Sequence, residues 1–191
     1  MVRRALLLPA LLAGLAAAGQ ESAPAPAPGL LRGSAAISPG FMTQHAITNI
    51  YLVGRAELFT DARVSFRGEA LWYVGAQQRH PLLTANSQLA AGPFYHWVHG
   101  RLDLALGFEP GISLTRPRAA GEGDALGAPP LRVVPSIALC GGLTFSVWEY
   151  FQFFVDARYA HGRYTGPRSG AIGLDEVILG AGLGWQLRLH K

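Results

Sequence analysis

Charged side chains recur at every second position in several segments of this chain, with apolar side chains between them. Acidic and basic members are nearly equal in number, so the chemistry that this pattern predicts is ion pairing across a shared, enclosed space. Catalysis by the carboxylates is the weaker interpretation, because arginine neighbours keep a carboxylate ionised at neutral pH. The predicted ion-paired set is Arg55, Glu57, Arg67, Glu69, Arg101, Asp103, Glu109, Asp156, Arg158 and Arg188.

Other motifs that carry chemistry elsewhere are incomplete here. His96 and His99 have the spacing of half a metal site, but no second pair of ligands is evident, so we interpret them as a strand end and a turn. The Gly-Ala-Gly-Leu-Gly segment at 180–184 resembles part of a dinucleotide loop, yet no helical pattern follows it. Cys140 is the one cysteine, which excludes an internal disulfide and indicates a small packing residue. We therefore predict no metal and no cofactor.

The alternation that places these residues has the period of β-strands and recurs from about residue 47 to residue 189. Helices are disfavoured, since 24 glycines and 13 prolines are spread along the chain and apolar spacings of three and four are not sustained. We predict about eight strands, of which the first is the weakest because Pro39 and Gly40 interrupt it. The predicted strands are residues 31–42, 45–59, 63–75, 87–97, 101–114, 131–146, 150–162 and 174–189.

Short and long connections between these strands alternate. The predicted tight turns are residues 60–62, 98–100 and 147–149. The predicted long loops, which are rich in Pro, Gly, Arg and Gln, are residues 76–86, 115–130 and 163–173. Bacterial outer-membrane barrels have this asymmetry, with the short turns on the periplasmic side and the long loops outside. A soluble β-sandwich has no reason to segregate its connections in this way.

One phase of the alternation is apolar and predicts a lipid-facing surface, whereas the other collects the charged residues together with Gly and Ala. The sequence therefore predicts an all-β fold, a closed antiparallel up-and-down transmembrane β-barrel with a packed, ion-paired interior. At about eight strands this interior leaves no wide water channel, which needs roughly twice that number. A soluble sheet with one solvated face is the alternative, but its apolar face needs a second layer. The aromatic residues expected to form a girdle near the short turns are Trp97, Trp148, Tyr150 and Trp185.

The first segment of the chain has the features of a secretory signal peptide. Arg3 and Arg4 precede an apolar run that is too short to span a bilayer, and small residues at 16–18 provide a cleavage site. We predict a signal peptide at residues 1–19, a Pro/Ala-rich linker at 20–30 and one barrel domain at 31–191. The net charge of +4 includes those two arginines, and no basic cluster supports binding to nucleic acid.

Four segments resemble the small outer-membrane β-barrel proteins of the OmpA/OmpX type, which include uncharacterised "outer membrane β-barrel domain" proteins. The segments are VSFRGEALWYVG at 64–75, LDLALGFEPGISLT at 102–115, FFVDARYAHG at 153–162 and VILGAGLGWQLRL at 177–189. The resemblance covers about residues 34–189 and implies a barrel in the outer membrane of a Gram-negative bacterium, placed there by the outer-membrane assembly machinery. Such barrels usually finish on an aromatic residue that the machinery reads, whereas His190 and Lys191 follow the last alternating segment here.

The resemblance implies a structural or surface-interaction role without catalysis, although one barrel architecture carries many unrelated activities. Some barrels that this chain resembles are lipid A deacylases, which use a His and a Ser two residues apart on the lipid-facing side. His161 lies in a comparable place, but Arg163 stands where the Ser would be, so a lipid-modifying enzyme is the first alternative. A soluble periplasmic lipocalin-like carrier is the second alternative, and it would bury its apolar phase inside.

Basic residues near the long loops are candidates for contact with lipopolysaccharide, because arginine binds phosphate well. Ordinary solvated loops are the alternative, since Glu122, Asp124 and Asp175 dilute the positive charge. The expected partners are outer-membrane lipid, lipopolysaccharide and the assembly machinery, whereas no extracellular ligand can be named from the sequence. The loop residues concerned are Arg79, Arg116, Arg118, Arg163 and Arg168.

Overall fold

The computed structural model describes residues 26–79, 81–118, 129–166 and 170–189. Nearly all of this chain is extended, as its period-two sequence predicts. The predicted signal peptide at residues 1–19 and the first half of the predicted linker lie outside the described residues. The strands are β1 (Leu30–Met42), β2 (Thr48–Phe59), β3 (Val64–Ala76), β4 (Leu83–His99), β5 (Leu102–Pro117), β6 (Arg132–Ser146), β7 (Phe151–Gly166), β8 (Gly170–Gly173) and β9 (Glu176–Arg188).

The strands form one closed antiparallel barrel. Each strand from β1 to β7 pairs with its neighbour in the chain, β7 also pairs with β9, and β9 returns to β1. In the closing pair Leu31 lies opposite Leu187. The short strand β8 adds only to the outer part of β7 and takes no part in closure. The prediction of a closed up-and-down barrel with eight strands is confirmed.

The two phases of each strand separate cleanly between the inside and the outside of the barrel. In β5 every second residue is buried, so Asp103 has 3% of its surface exposed whereas Leu104 has 50%. The same alternation runs along β2, β7 and β9. Large apolar side chains therefore cover the outside, and most buried positions are polar, charged or small. No helix long and apolar enough to cross a membrane occurs in the described part of the chain.

The two ends of the barrel differ in their connections. At one end, here called the short-turn end, residues 60–63, 100–101 and 147–150 join successive strands, and Gly100 adopts a positive φ of 61° in the tightest turn. The first and last barrel residues, Leu30 and Arg188, also lie at this end, where they are paired. The opposite, long-loop end carries the connections at 43–47, 77–82 and 118–131, together with β8. The predicted segregation of short and long connections is confirmed.

Some predicted loops belong to strands in the structure. The loop predicted at 163–173 contains the end of β7 and the whole of β8, which pair from Arg163 with Gly173 to Gly166 with Gly170. In the same way β4 begins at Leu83, inside the loop predicted at 76–86. These longer strands give the long-loop end an apolar interior of its own. We call it the apolar cap, and its buried residues are Met42, Leu83, Val134, Tyr164, Ile172 and Leu174.

The first strand forms in spite of Pro39 and Gly40. Its pairing with β2 is continuous, and Pro39 lies opposite Ile50. Its pairing with β9 is interrupted, because the register passes from Ala35 opposite Leu183 directly to Gly40 opposite Ile178. Pro39, which has no N–H to donate to a neighbouring strand, lies within this interruption.

The barrel interior has no space for an added methyl group where Gly107 faces Phe94, since a Cβ at Gly107 would collide with the Phe94 ring. We expect Gly107→Ala to lower the free energy of unfolding by about 1–3 kcal/mol through overpacking. The measurement is urea unfolding in detergent micelles, followed by the mobility shift of the folded barrel on a gel. Gly68→Ala is the matched control, because nothing lies within 4 Å of a Cβ there. Equal unfolding midpoints for the two variants would contradict the inward packing described here.

Candidate functional site

The middle of the barrel interior contains an ion-pair network that crosses the lumen. Arg55 on β2 donates from Nε to Glu69 Oε1 at 2.5 Å. The other two nitrogens of Arg55 donate to Asp156 on β7, from Nη1 at 2.8 Å and from Nη2 at 2.5 Å. All three side chains are largely buried. Because β2 and β7 are not neighbours in the barrel, the pair between Arg55 and Asp156 joins separate parts of the wall.

Arg158 extends this network to β5. Its Nη1 atom donates to Glu69 Oε2 at 2.6 Å and also contacts Glu109 Oε2. Cys140 donates from Sγ to the same Glu109 oxygen at 3.2 Å. Since β3 and β7 lie on opposite sides of the eight-stranded ring, the contact of Arg158 with Glu69 spans the lumen. We call Arg55, Glu69, Glu109, Asp156 and Arg158 the central network.

A second group of charges lies towards the short-turn end. Arg67 Nη2 lies 3.1 Å from Glu57 Oε1, and the Arg67 guanidinium stacks 3.7 Å from the centre of the Phe94 ring. Asp103 forms an ion pair with Arg32 and accepts a contact of 2.9 Å from His96 Nδ1. Arg32, which lies in the proline-interrupted first strand, is absent from the predicted ion-paired set. His96 was predicted at a strand end, but it is buried in the lumen, and His99 is the exposed strand end.

The distances around His96 resemble those of a Ser-His-Asp triad. Ser65 Oγ lies 2.8 Å from His96 Nε2, and Asp103 lies on the other ring nitrogen. The Ser65 hydroxyl, however, donates to Glu57 Oε1 at 2.7 Å, and Ser65 is only 1% exposed. A nucleophile needs a base to accept its proton and a space for substrate beside it. Ser65 has acceptors for its proton but is buried without space for a substrate, so the arrangement is a hydrogen-bonded part of the barrel interior.

The free space between the two groups is too small for a substrate. It is a cavity of about 30 Å³, lined among others by Arg32, Arg55, Arg67, Gln152 and Asp156. One buried water needs at least about 10–15 Å³ of such volume. The cavity therefore has room for one or two water molecules. Arg32 and Gln152 line this cavity, and Arg32 Nη2 and Gln152 Oε1 are buried without a hydrogen-bond partner among the described residues.

Three possible metal ligands meet in the central network. Ligand atoms of Glu69, Glu109 and Cys140 lie within 4.8 Å of one another. Arg158 Nη1 contacts both carboxylates and lies 4.0 Å from Cys140 Sγ, so the guanidinium already supplies the positive charge at this position. The two carboxylates of this group are therefore the partners of Arg158 and are not assigned to a metal ion.

A third polar group lies below the apolar cap. Glu176 accepts hydrogen bonds from Asn49 Nδ2 at 2.8 Å and from Tyr51 OH at 2.7 Å. Asn86 donates to the same Tyr51 hydroxyl, and Thr115 donates to Asn86 Oδ1. The sequence analysis did not include these residues. All of them lie on the inward phase of their strands, and following that phase to the strand ends would have found them.

Two residues of the predicted ion-paired set lie at the rim of the short-turn end instead of in the lumen. Arg101 occupies the turn between β4 and β5, where its Nη1 lies 3.4 Å from the carbonyl oxygen of Val147. Arg188 is the last residue of β9 and is exposed. The period-two pattern placed both residues on the inward phase. At the ends of the strands, however, an inward side chain reaches the rim of the barrel and is no longer enclosed by the wall.

The predicted loop residues lie at the long-loop end. Arg79, Arg116, Arg118 and Arg163 are exposed, and Arg168 lies outside the described residues. His161 is on the outer surface of β7, and its Nδ1 lies 2.6 Å from Asp175 Oδ1. Arg163 follows His161 by two residues on the same outward phase of β7.

Known structures share this architecture. No family model and no curated protein matches the sequence. Neisserial surface protein A has a TM-score of 0.61 at 11% identity, covering 84% of this chain and 96% of that chain. The N-terminal β-barrel domain of Pseudomonas aeruginosa OprF has a TM-score of 0.56 at 13% identity, covering 84% and 98%. Ail, the attachment invasion locus protein of Yersinia pestis, has a TM-score of 0.51 at 14% identity, covering 84% and 99%. The fold is therefore that of the small outer-membrane β-barrels.

Asp156 is the residue whose loss tests the central network. In Asp156→Ala, Arg55 keeps Glu69 but loses two of its three hydrogen bonds inside the barrel. We expect the free energy of unfolding to fall by about 3 kcal/mol, because a buried guanidinium loses its carboxylate partner. The measurement is urea unfolding in micelles, with Glu149→Ala in the exposed turn after β6 as control. If Asp156→Ala unfolds at the same urea concentration as the parent, the network does not stabilise the barrel.

Proposed function

We propose that the chain is an integral outer-membrane β-barrel of a Gram-negative bacterium, exported by a signal peptide in residues 1–19, with a structural or surface-interaction role. The observation that carries this proposal is the inversion of polarity across the barrel wall. Large apolar side chains such as Leu104, Leu139 and Val155 are exposed on the outside, whereas charged residues are paired within. Water would penalise such a surface, but the hydrocarbon of a bilayer matches it.

The two ends of the barrel suggest its orientation. Outer-membrane barrels place short turns in the periplasm and long loops outside the cell. Exposed aromatic residues of this chain collect near the short-turn end, where a girdle would meet the inner interface of the membrane. Trp97, Trp148, Tyr150 and Trp185 are exposed at this end, whereas Trp72 is exposed towards the opposite end of β3. The long-loop end, with β8 and the apolar cap, then faces the exterior and provides the surface for interaction.

We also propose that the interior is a packed core and not a pore. The central network crosses the lumen through Arg158 and Glu69, and the apolar cap closes the space above it at Leu83 and Tyr164. In this proposal the lumen is closed at two levels along the barrel axis, by ion pairs in the middle and by apolar side chains at the long-loop end. Outer-membrane lipid and lipopolysaccharide are the partners of the wall, and the assembly machinery is the partner during insertion.

Two other functions receive less support. The feature that favours a lipid A deacylase-like enzyme is the outward pair of His161 and Asp175, in which Nδ1 lies 2.6 Å from Oδ1. Arg163 stands where the nucleophile is needed, so that pair has no group to activate at this spacing. A soluble lipocalin-like carrier would place its apolar residues inside and its charges outside. The arrangement of Asp103 and Leu104 is the reverse.

Membrane location is the first test. Membranes fractionated from the native host are expected to contain the protein in the outer-membrane fraction, with a band that shifts in mobility on boiling because the closed barrel resists detergent until it is heated. In lipid bilayers Val155→Arg is expected to lower the stability by about 2–4 kcal/mol, because the arginine faces hydrocarbon. Val155→Leu is the matched control. A soluble protein without a mobility shift, in which Val155→Arg is neutral, would overturn the proposal.

A packed interior predicts that the folded barrel does not conduct ions across a membrane. In planar bilayers the folded protein is expected to show no conductance steps above background, because Arg158 and Glu69 close the lumen. The double variant Leu83→Ala/Tyr164→Ala, which truncates two of the six side chains of the apolar cap, is expected to show no conductance either, because the central network lies below it. Regular conductance steps from the parent protein, at a protein concentration where the gel shows only folded barrel, would rule out the packed interior.

A further inference from the structure

Charge is distributed unevenly between the ends of the barrel. Among the described residues the long-loop end has one acidic side chain outside the lumen, Asp175, and this carboxylate is engaged by His161 at 2.6 Å and by Gln44 at 3.1 Å. Asp61 and Glu149 lie at the short-turn end, and the remaining described acidic residues lie in the lumen. The exposed arginines of the long-loop end are Arg79, Arg116, Arg118, Arg132 and Arg163. The described part of this end therefore presents an excess of positive charge, which Glu122 and Asp124 of the connecting loop reduce but do not cancel in the sequence.

Most of these arginines lie on three adjacent strands. Arg116 is near the end of β5, and Arg118 directly follows that strand. Arg132 begins β6, where it lies opposite Thr115 of β5. Arg163 is on the outer part of β7, which pairs with the other side of β6. We call Arg116, Arg118, Arg132 and Arg163 the arginine patch.

Within the described chain the patch has donors to spare. Arg132 uses Nη1 for the carbonyl oxygen of Thr165 at 2.8 Å. The backbone carbonyl of Arg116 and the backbone N–H of Arg118 are used in contacts with Thr84 and Leu82. The side chains of Arg116, Arg118 and Arg163 make no ion pair or hydrogen bond with any described residue. Guanidinium groups in this state form bidentate contacts with phosphate more readily than with water alone.

The surface beside the patch is apolar and continuous. On β5 the outward residues before Arg116 are Ile112 and Leu114, each 40% exposed. On β6 the corresponding residues are Val133 at 63% and Ile137 at 40%. Leu114 lies directly opposite Val133 in the ladder, so the two strands form one apolar face. A ligand that fits both parts carries negatively charged groups above and hydrocarbon chains below.

We propose that the arginine patch binds the phosphate groups of lipopolysaccharide, with the acyl chains lying against the apolar face formed by β5 and β6. This inference rests on the proposed outer-membrane location and assigns a position to one partner of the wall. A soluble polyanion would use the arginines but gain nothing from Ile112, Leu114 and Val133. Lipopolysaccharide uses both, since its phosphates lie at the boundary between headgroup and hydrocarbon.

The test is a binding titration of the folded protein in a zwitterionic detergent. The probes are purified lipopolysaccharide, the same material after enzymatic removal of its phosphates, and heparin as a soluble polyanion. Arg116→Gln/Arg163→Gln removes two charges from the patch, and Arg63→Gln/Arg188→Gln removes two exposed charges at the short-turn end as the matched control. The boiling-dependent mobility shift of each variant shows that it is folded before binding is measured.

We expect the patch variant to bind intact lipopolysaccharide about tenfold more weakly than the parent, because charge-assisted contacts to phosphate are lost. The control variant is expected to bind like the parent, and dephosphorylated lipopolysaccharide is expected to bind the parent and the patch variant equally weakly. Equal binding of intact lipopolysaccharide by the patch variant and the parent would overturn the inference. Heparin that binds the parent more tightly than lipopolysaccharide does would also overturn it. Either result leaves the membrane location standing, since that fails only if the parent is soluble and shows no mobility shift.

Discussion

The structure depends on one constraint, which is that a barrel with an apolar exterior must give every charged side chain inside it an opposite charge or hydrogen bonds. The cavity between the two groups of charges has a volume of about 30 Å³ and holds little water, and an unpaired buried charge costs several kcal/mol. The chain meets this constraint because single side chains form ion pairs with more than one partner. Glu69 serves both Arg55 and Arg158, and Arg158 serves both Glu69 and Glu109. Because the partners come from opposite parts of the wall, the same contacts that neutralise charge also fix the cross-section of the barrel.

Small inward residues make these crossings possible. A side chain at Gly180 would collide with the Asp156 carboxylate, and one at Gly184 would come within 2.8 Å of Gln152 Nε2. The Gly-Ala-Gly-Leu-Gly segment is therefore the wall against which the charged residues of β7 lie, since Asp156 is opposite Gly180 and Gln152 is opposite Gly184. A motif that resembles a nucleotide-binding loop in sequence has a steric role in this fold.

The sequence was a good guide wherever a local pattern decides the structure. Period two and turn chemistry were sufficient for the strands, for the inward phase of Asp103 and for the difference between the two ends. The pairing of particular charges depends on the stagger of the strands around the ring, which no local pattern contains. Arg32 was missed because Pro39 weakened the evidence for its strand, and the burial of His96 was missed because its strand continues two residues further than predicted. The short strand β8 has two glycines among its four residues and lacks any alternation to detect.

The position of Leu30 beside Arg188 has a consequence for the order of the chain. In the closed ring the first and last barrel residues are paired neighbours at the same end. The covalent gap between β9 and β1 therefore lies at a place where a short turn could join the two strands. The ring itself has no intrinsic beginning. A circularly permuted chain, joined across this seam by a few residues and opened within another connection, retains every ladder and every lumen contact described here. The fold is defined by its cyclic strand order, in which the seam between β9 and β1 is one position among eight.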